Sequence, residues 1–302
     1  MKLLVTGAWQ GAKQHMDALR AMGHVVVFQQ QERNALVCDP AEIEGVVGNG
    51  LFLYHPLEAF TALRYIQLTS AGFDRVPMDA VRVRGITIRN ARGVYSVPMA
   101  EHALWSVLTL YRQGAFFVRK QAEGVWEKRR DLVELAGKTA CILGCGSVGT
   151  ACAERFRAMG CRVLGVNRTV RDNAAFDAVL PLTALDETLA QADVVILTLP
   201  LTEATRGLMD AARFAAMKPG SVLVNIARGA LVDEAALRSA LSDRLSGAAL
   251  DVFETEPLAP DSPLWTFDNV LLTPHNSFVG DGNAARLDTL ILDNLRTYSA
   301  DM

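Results

Sequence analysis

No hydrophobic run in this 302-residue chain approaches the roughly 18 residues that a membrane-spanning helix requires. Basic charge is not in excess either. The chain has 30 Lys and Arg against 33 Asp and Glu, a net charge of -3, and its cations are scattered, so it lacks the electrostatic footprint of a protein that binds nucleic acid or anionic lipid. There is no low-complexity tract, and 50% hydrophobic with 21% charged residues is the composition of an ordinary globular chain. The five cysteines, Cys38, Cys141, Cys145, Cys152 and Cys161, are odd in number and include no CxxC pairs at zinc-ligand spacing. Reduced structural thiols and no metal site are expected. The opening MKLLVTGAWQG carries one Lys and a short apolar run that stops at Gly7, which reads as a buried strand and not as a signal segment. These absences leave a cytoplasmic protein whose partner is a small molecule, with neither nucleic acid nor membrane.

What is present is alternation. KLLVTG, VVVF, ALVC, LFLY and YIQLTS, each followed by a polar or amphipathic stretch, occupy the first 70 residues; TACILG, RVLGVN, DVVILTLP, SVLVNIA, GAALDV and NVLLTP follow residue 138. Short β-type runs alternating with helical patterns predict parallel sheets covered on both faces. Two α/β units are expected, and at about 150 residues per domain the length agrees. Residues 97–117 have helical apolar spacing with Pro98 in the first turn, which predicts one long buried connecting helix. Residues 283–298 predict a last helix that crosses back to the first unit.

Lys138 to Gly149 reads KTACILGCGSVG, a strand running into G-x-G-x-x-G with an amphipathic helix after it. Gly144 permits the tight turn, Gly146 lets a pyrophosphate approach the backbone, and Gly149 lets helix and strand pack closely. The helix start adds amide donors and a positive dipole end. A second strand at 162–166 completes a dinucleotide-binding pattern. Where an NAD enzyme carries an acidic residue for the ribose 2′-hydroxyl, this chain has Asn167, followed by Arg168 and Arg171. A neutral side chain beside two guanidiniums suits a 2′-phosphate, so NADP(H) is favoured and NAD(H) stays open. Gly7 and Gly11 lack the spacing and read as a turn.

Three further pieces follow strands of the second unit: NIARG ending at Gly229, DVFETEP from Asp251 to Pro257, and TPHNS ending at Ser277. Ligand sites in open α/β sheets lie beyond the carboxyl ends of the strands, where all three can converge. The Arg228 guanidinium can hold a carboxylate bidentately. His275 can exchange a proton with a carbonyl or alcohol oxygen near neutral pH, and Glu256 beside it would stabilise the imidazolium. A cation, a proton donor and a dinucleotide loop suit hydride transfer to a 2-oxo acid. Taken singly, each residue has a bland alternative as a turn cap, a loop charge or a buried histidine.

GCGSVG, LTLPLTEATRGL, MKPGSVLVNIARGALVDEAAL, ALDVFETEPL and SPLWTFDNVLLTPH occur in that order, and on these motifs the chain resembles the D-2-hydroxyacid dehydrogenase family over essentially its whole length. The resemblance implies an NAD(P)-dependent 2-oxo acid reductase with Arg228 orienting substrate, His275 as acid/base and Glu256 as its partner. It also implies that Ser147 and Val148 approach the pyrophosphate, that Asn167, Arg168, Thr169 and Arg171 face the ribose, that Leu199, Pro200, Thr205 and Ala227 border the cofactor, and that Asp251 holds the carboxamide. For substrate it implies the amides of Ser70, Ala71 and Gly72, the loop Asn49-Gly50-Leu51, and Ser277 as a polar neighbour. His102 in AEHAL matches a family helix position and reads as structural, and His15, His24 and His55 have no role.

The fold implied is α/β with two doubly wound parallel-sheet domains. The larger, 96–277, is a Rossmann dinucleotide-binding domain, and the smaller, 1–95 plus 278–302, a flavodoxin-like substrate domain. Asn167 resembles the glyoxylate/hydroxypyruvate reductase-like branch. A homodimer through the helix near Ala100 and the arm near Trp126 is implied, and no appended regulatory module is expected. No extra Arg or His is legible beside the substrate loop, which argues against relatives acting on formate or phosphite. The alternative from another class is an NAD(P)-sensing, corepressor-like binding protein on the same fold.

Overall fold

Strands whose side chains are apolar on both faces are stable only where helices cover both sides of the sheet. The computed structural model describes residues 1–300 and forms two such units, Met1–Tyr95 with the segment from Gly280 onward, and Ser96–Val279. In the first unit β1 (Lys2–Thr6), β2 (Val25–Gln29), β3 (Gly45–Gly48), β4 (Tyr65–Leu68) and β5 (Thr87–Arg89) form a parallel sheet in the order β2-β1-β3-β4-β5. This is the flavodoxin-like order, with its winding reversal between β1 and β3. The period-two geometry of β1 sends Leu3 and Val5 to one face and Leu4 to the other. The first pair packs with Trp9, Leu19 of α1 (Met16–Ala21), and Leu287, Ile291 and Leu295 of the C-terminal helix (Asn283–Ala300). Leu4 packs with Ile43, Phe60 and Val81 of α2 (Met78–Val83). Trp9 is buried, and its indole Nε1 donates to Asp288 of the C-terminal helix at 2.5 Å.

The second unit opens with α3 (Ser96–Tyr111) and α4 (Gly114–Glu123) and continues through β6 (Thr139–Leu143), α5 (Ser147–Ala158), β7 (Arg162–Asn167), β8 (Ala178–Pro181), α6 (Leu185–Leu189), β9 (Val194–Leu197), α7 (Ala211–Ala216), β10 (Val222–Asn225), α8 (Glu234–Asp243), β11 (Gly247–Leu250) and β12 (Val270–Leu272). Its seven parallel strands lie in the order β12-β11-β10-β9-β6-β7-β8. Counted from β6 this is 3-2-1-4-5-6 with a seventh strand added, the Rossmann order. Helices α3 and α5 cover one face through Ala100, Ala103, Val107, Cys152 and Phe156. Helices α6, α7 and α8 cover the other through Leu189, Phe214 and Leu237. No helix among the described residues is long and apolar enough to cross a membrane.

Three local expectations fail. ALVC is irregular chain, tied to the sheet through the Val37 amide and Gln29 Oε1 at 3.1 Å. LFLY is a 3-10 turn, Leu51–Leu53, in which Leu51 is buried while Leu53 and Tyr54 are exposed. The strand between them is GVVG, too short and glycine-flanked to stand out. A Cβ on Gly45 would lie 2.8 Å from Leu3 Cδ1, so close packing against β1 explains that glycine. The long connecting helix is two helices. Gln113 takes a left-handed conformation, φ 55° and ψ 42°, between α3 and α4, and α4 buries no side chain. Apolar periodicity runs through the break, which is why spacing hides it.

Because Ile291 is fully buried, Ile291→Ala should destabilise the first unit by about 2–5 kcal/mol. Val83→Ala, at a residue 88% exposed, should change stability by less than about 0.5 kcal/mol. Urea unfolding midpoints read both, and equal effects would contradict this packing.

Candidate active site

In the second unit the winding reverses between β6 and β9, and the glycine loop sits there. Gly144, at φ +104°, makes the turn that L side chains avoid. Its amide donates to the Val166 carbonyl at 2.8 Å, and Thr198 Oγ1 contacts its carbonyl at 2.7 Å. A Cβ on Gly149 would fall 1.9 Å from the Gly144 carbonyl oxygen, so only glycine lets α5 seat on the strand. Beside Gly146 there is open space within 4 Å, room for a group to approach the backbone. Ser147, Val148 and Gly149 form the first turn of α5, whose amides and dipole favour an anion. Cys145 lies inside this loop, and the missing Cβ of Gly165 makes room for its sulfur, since a Cβ there would be 2.5 Å from Sγ. Burial pushes the Cys145 thiol up to about 11, so it is protonated and poorly nucleophilic.

Asn167 ends β7, and its amide Nδ2 donates to the Thr169 carbonyl at 2.9 Å, fixing the turn. Arg168 and Arg171 on this turn are exposed and form no ion pair among the described residues. After β9, Thr205 Oγ1 donates to the Pro200 carbonyl at 2.8 Å and lies 2.8 Å from the Thr202 amide, which folds the loop from Leu199 onward back on itself.

Three neighbouring strands carry the predicted triad at their carboxyl ends. After β10, Asn225 accepts from the Ala227 amide at 3.1 Å and donates to the Arg228 carbonyl at 2.9 Å, clamping the turn that presents Arg228. The guanidinium also donates to the Ala227 carbonyl at 2.7 Å. A Cβ on Gly229 would meet the Phe253 carbonyl carbon at 1.9 Å, so this glycine lets the Arg228 turn lie directly on the segment leading to Glu256. Glu256 uses one oxygen to accept from the Phe253 amide at 3.0 Å and the other to meet His275 Nδ1 at 2.7 Å. A carboxylate only accepts, so Nδ1 carries the proton and Nε2 is left for a reacting group.

His275 is held in a left-handed conformation, φ 51°, which costs an L residue about 1–2 kcal/mol. Asp251, 1% exposed, imposes it. Its carbonyl accepts from the His275 amide at 2.8 Å, while its carboxylate accepts from the Asn276 amide at 2.8 Å, the Ser277 amide at 3.0 Å and the Thr273 hydroxyl at 2.7 Å. Ser277 is correspondingly buried. Thr273 Oγ1 also contacts His102 Nε2 of α3 at 3.2 Å.

Within the first unit, the amides of Ser70, Ala71 and Gly72 have no acceptor among the described residues. Ser70 Oγ donates to the Gly72 carbonyl at 3.1 Å, and Asn90 Nδ2 to the Ala71 carbonyl at 2.6 Å. The loop Asn49-Gly50-Leu51 differs. The Asn49 and Gly50 amides both donate to the Glu32 carboxylate at 2.7 Å, Thr6 Oγ1 adds a bond at 2.8 Å, and His55 Nε2 holds the Glu32 carbonyl at 2.8 Å. Arg75 Cδ would lie 3.8 Å from a Cβ on Gly50. An Arg and a His therefore do stand beside this loop, contrary to the reading from spacing. Glu32 and Arg75 lie 17 and 26 residues from Asn49, too far for any local motif, and only the fold brings them to the loop, whereas His55 follows Leu51 in the same turn, its amide donating to the Leu51 carbonyl at 3.1 Å.

The match to known proteins follows the same parts. Residues 104–277 fit the family model described as D-isomer specific 2-hydroxyacid dehydrogenase, NAD binding domain. Over 280 residues the chain is 35% identical to a D-3-phosphoglycerate dehydrogenase of Archaeoglobus fulgidus, covering 91% of this chain but 53% of that protein. It is 36% identical over 243 residues to an (S)-sulfolactate dehydrogenase of Chromohalobacter salexigens, covering 80% of this chain and 79% of the relative. A solved D-isomer specific 2-hydroxyacid dehydrogenase from Xanthobacter autotrophicus Py2, in complex with NADPH and MES, superposes with a TM-score of 0.81 at 32% identity, over 99% of this chain and 95% of that one. Sheet orders, glycine loop and family match agree: the chain belongs to the D-isomer specific 2-hydroxyacid dehydrogenase family.

Proposed function

We propose that the chain is an NADP(H)-preferring oxidoreductase that interconverts a small 2-oxo acid, such as glyoxylate or hydroxypyruvate, with its 2-hydroxy acid. The observation that carries this reading is the 2.7 Å bond between His275 Nδ1 and Glu256, formed at the carboxyl edge of the sheet that also bears the glycine loop and Arg228. When bound, the nicotinamide supplies or accepts the hydride. In reduction, His275 as imidazolium gives the Nε2 proton to the substrate's carbonyl oxygen, and Glu256 stabilises the cation before transfer and fixes the ring. In oxidation the neutral ring takes the hydroxyl proton at the same nitrogen. Arg228 pairs with the substrate carboxylate and polarises the adjacent carbonyl.

The residues that fit the cofactor are the loop Gly144–Gly149, Thr205 with Leu199 and Pro200, Ala227, Asp251, and Asn167 through Arg171. Two arginines with no ion pair among the described residues, after a neutral Asn, support a 2′-phosphate. Ser70, Ala71 and Gly72 are the first unit's candidates for the carboxylate, because their amides have no acceptor among the described residues, and Glu32 sets the loop from Asn49 to Leu51. Exposed Trp105, Phe117, Val118 and Trp126 support a homodimer.

A panel of 2-oxo acids assayed with NADPH and with NADH tests the activity; no turnover anywhere in it would end the proposal. Arg168→Ala should raise the KM for NADPH about tenfold or more, the loss of one charge-assisted contact, and leave that for NADH within about twofold. His275→Ala should cut kcat at least about a hundredfold while NADPH still binds, as read by cofactor fluorescence. Glu32→Ala should raise the KM for the 2-oxo acid about tenfold, with NADPH affinity unaltered; an unchanged KM would remove Glu32 from the substrate loop's role.

A further inference from the structure

The carboxylate of Asp251 is an acceptor only, so the single proton of the Thr273 hydroxyl must point at it across 2.7 Å. Thr273 Oγ1 can then only accept from His102 Nε2, 3.2 Å away. His102 is therefore the tautomer protonated at Nε2. It is half-buried on α3 and tilted against Trp105, with ring centroids 5.1 Å apart, and its burial lowers its affinity for a second proton against the weaker opposing pull of Asp251. A directed chain of donors thus runs from His102 to Thr273 to Asp251, and the same carboxylate accepts from the amides of Asn276 and Ser277 in the turn that holds His275 left-handed.

We propose that His102 is a positioning residue for His275, acting through Thr273 and Asp251. Its N–H occupies the hydroxyl's lone pair, which fixes the Thr273 rotor with its proton on Asp251. That keeps the carboxylate oxygen shared by Thr273 and the Asn276 amide held by both donors and aimed at the loop. Without that donor the hydroxyl is free to turn, one bond to Asp251 weakens, and the strained His275 backbone samples other conformations. The inference rests on the acid/base role given to His275 above.

The test compares substitutions that separate a hydrogen bond from packing. Thr273→Val keeps the shape and removes the hydroxyl; His102→Leu keeps bulk and removes the donor; His102→Gln places an amide N–H near the former Nε2. Thr273→Val and His102→Leu should each lower kcat about tenfold, the rate equivalent of one lost hydrogen bond, with the NADPH Kd changed less than about threefold. His102→Gln should recover most of the loss, and the double variant His102→Leu with Thr273→Val should be no slower than Thr273→Val alone, because both changes cut the same chain. NADPH binding by each variant reports an intact fold, and Thr273→Val carries the test should His102→Leu not fold. Wild-type kcat in Thr273→Val or in His102→Leu, equal loss in His102→Gln and His102→Leu, or losses that multiply in the double variant would overturn the proposal. His275→Ala measured alongside separates the two claims: its continued turnover would sink the acid/base assignment itself, whereas a dead His275→Ala beside a wild-type His102→Leu sinks only the role of His102.

Discussion

A buried anion governs the carboxyl edge of the second sheet. Asp251 at the end of β11 is 1% exposed, and an ionised carboxylate in that position is tolerable only when its oxygens are filled with donors. The donors it finds are the backbone of the segment after β12 and the hydroxyl of Thr273. Satisfying the charge and shaping the histidine turn are therefore the same event. Glu256 then orients the ring, and Gly229 lets the arginine turn pack against the segment that carries Glu256. Because β10, β11 and β12 are parallel neighbours, all of this lies on one edge.

Both sheets treat their winding reversals alike. At the end of β1, the Thr6 hydroxyl donates to Glu32, whose carboxylate holds the Asn49 and Gly50 amides just beyond β3. Just beyond β9, the Thr198 hydroxyl donates to the Gly144 carbonyl just beyond β6. In each case a threonine at the end of one of the two diverging strands helps tie down the loop of the other, through Glu32 in the first sheet and directly in the second. Crevices at such points are where open α/β sheets bind ligands, and a loop tied down in advance loses less entropy when one arrives.

The parts that could be read from the chain are those whose stereochemistry is local. GCGSVG needs glycine at Gly144 for a positive φ and at Gly149 for contact with the Gly144 carbonyl, and each requirement leaves its mark in the string itself. Both sheets and the parallel α/β class follow from runs such as VVILTLP for the same reason. The losses come where tertiary context decides. GVVG is a central strand because Leu3 and Tyr65 flank it, while LFLY, more apolar, coils into a turn because only Leu51 has a core to enter. Glu32 shows no motif at all. Its importance exists only once β1, β2 and β3 stand side by side, and the same is true of the link from His102 to Thr273 across α3 and β12.

The sulfur lodged between Gly144 and Gly146 has a chemical corollary. A cysteine in a phosphate-binding turn, at the positive end of a helix, would ordinarily be primed for ionisation and so for attack by peroxides and alkylating agents. Here the hollow left by Gly165 receives the sulfur, and its partial burial favours the neutral thiol. The glycine loop can thus carry a thiol without becoming a redox liability.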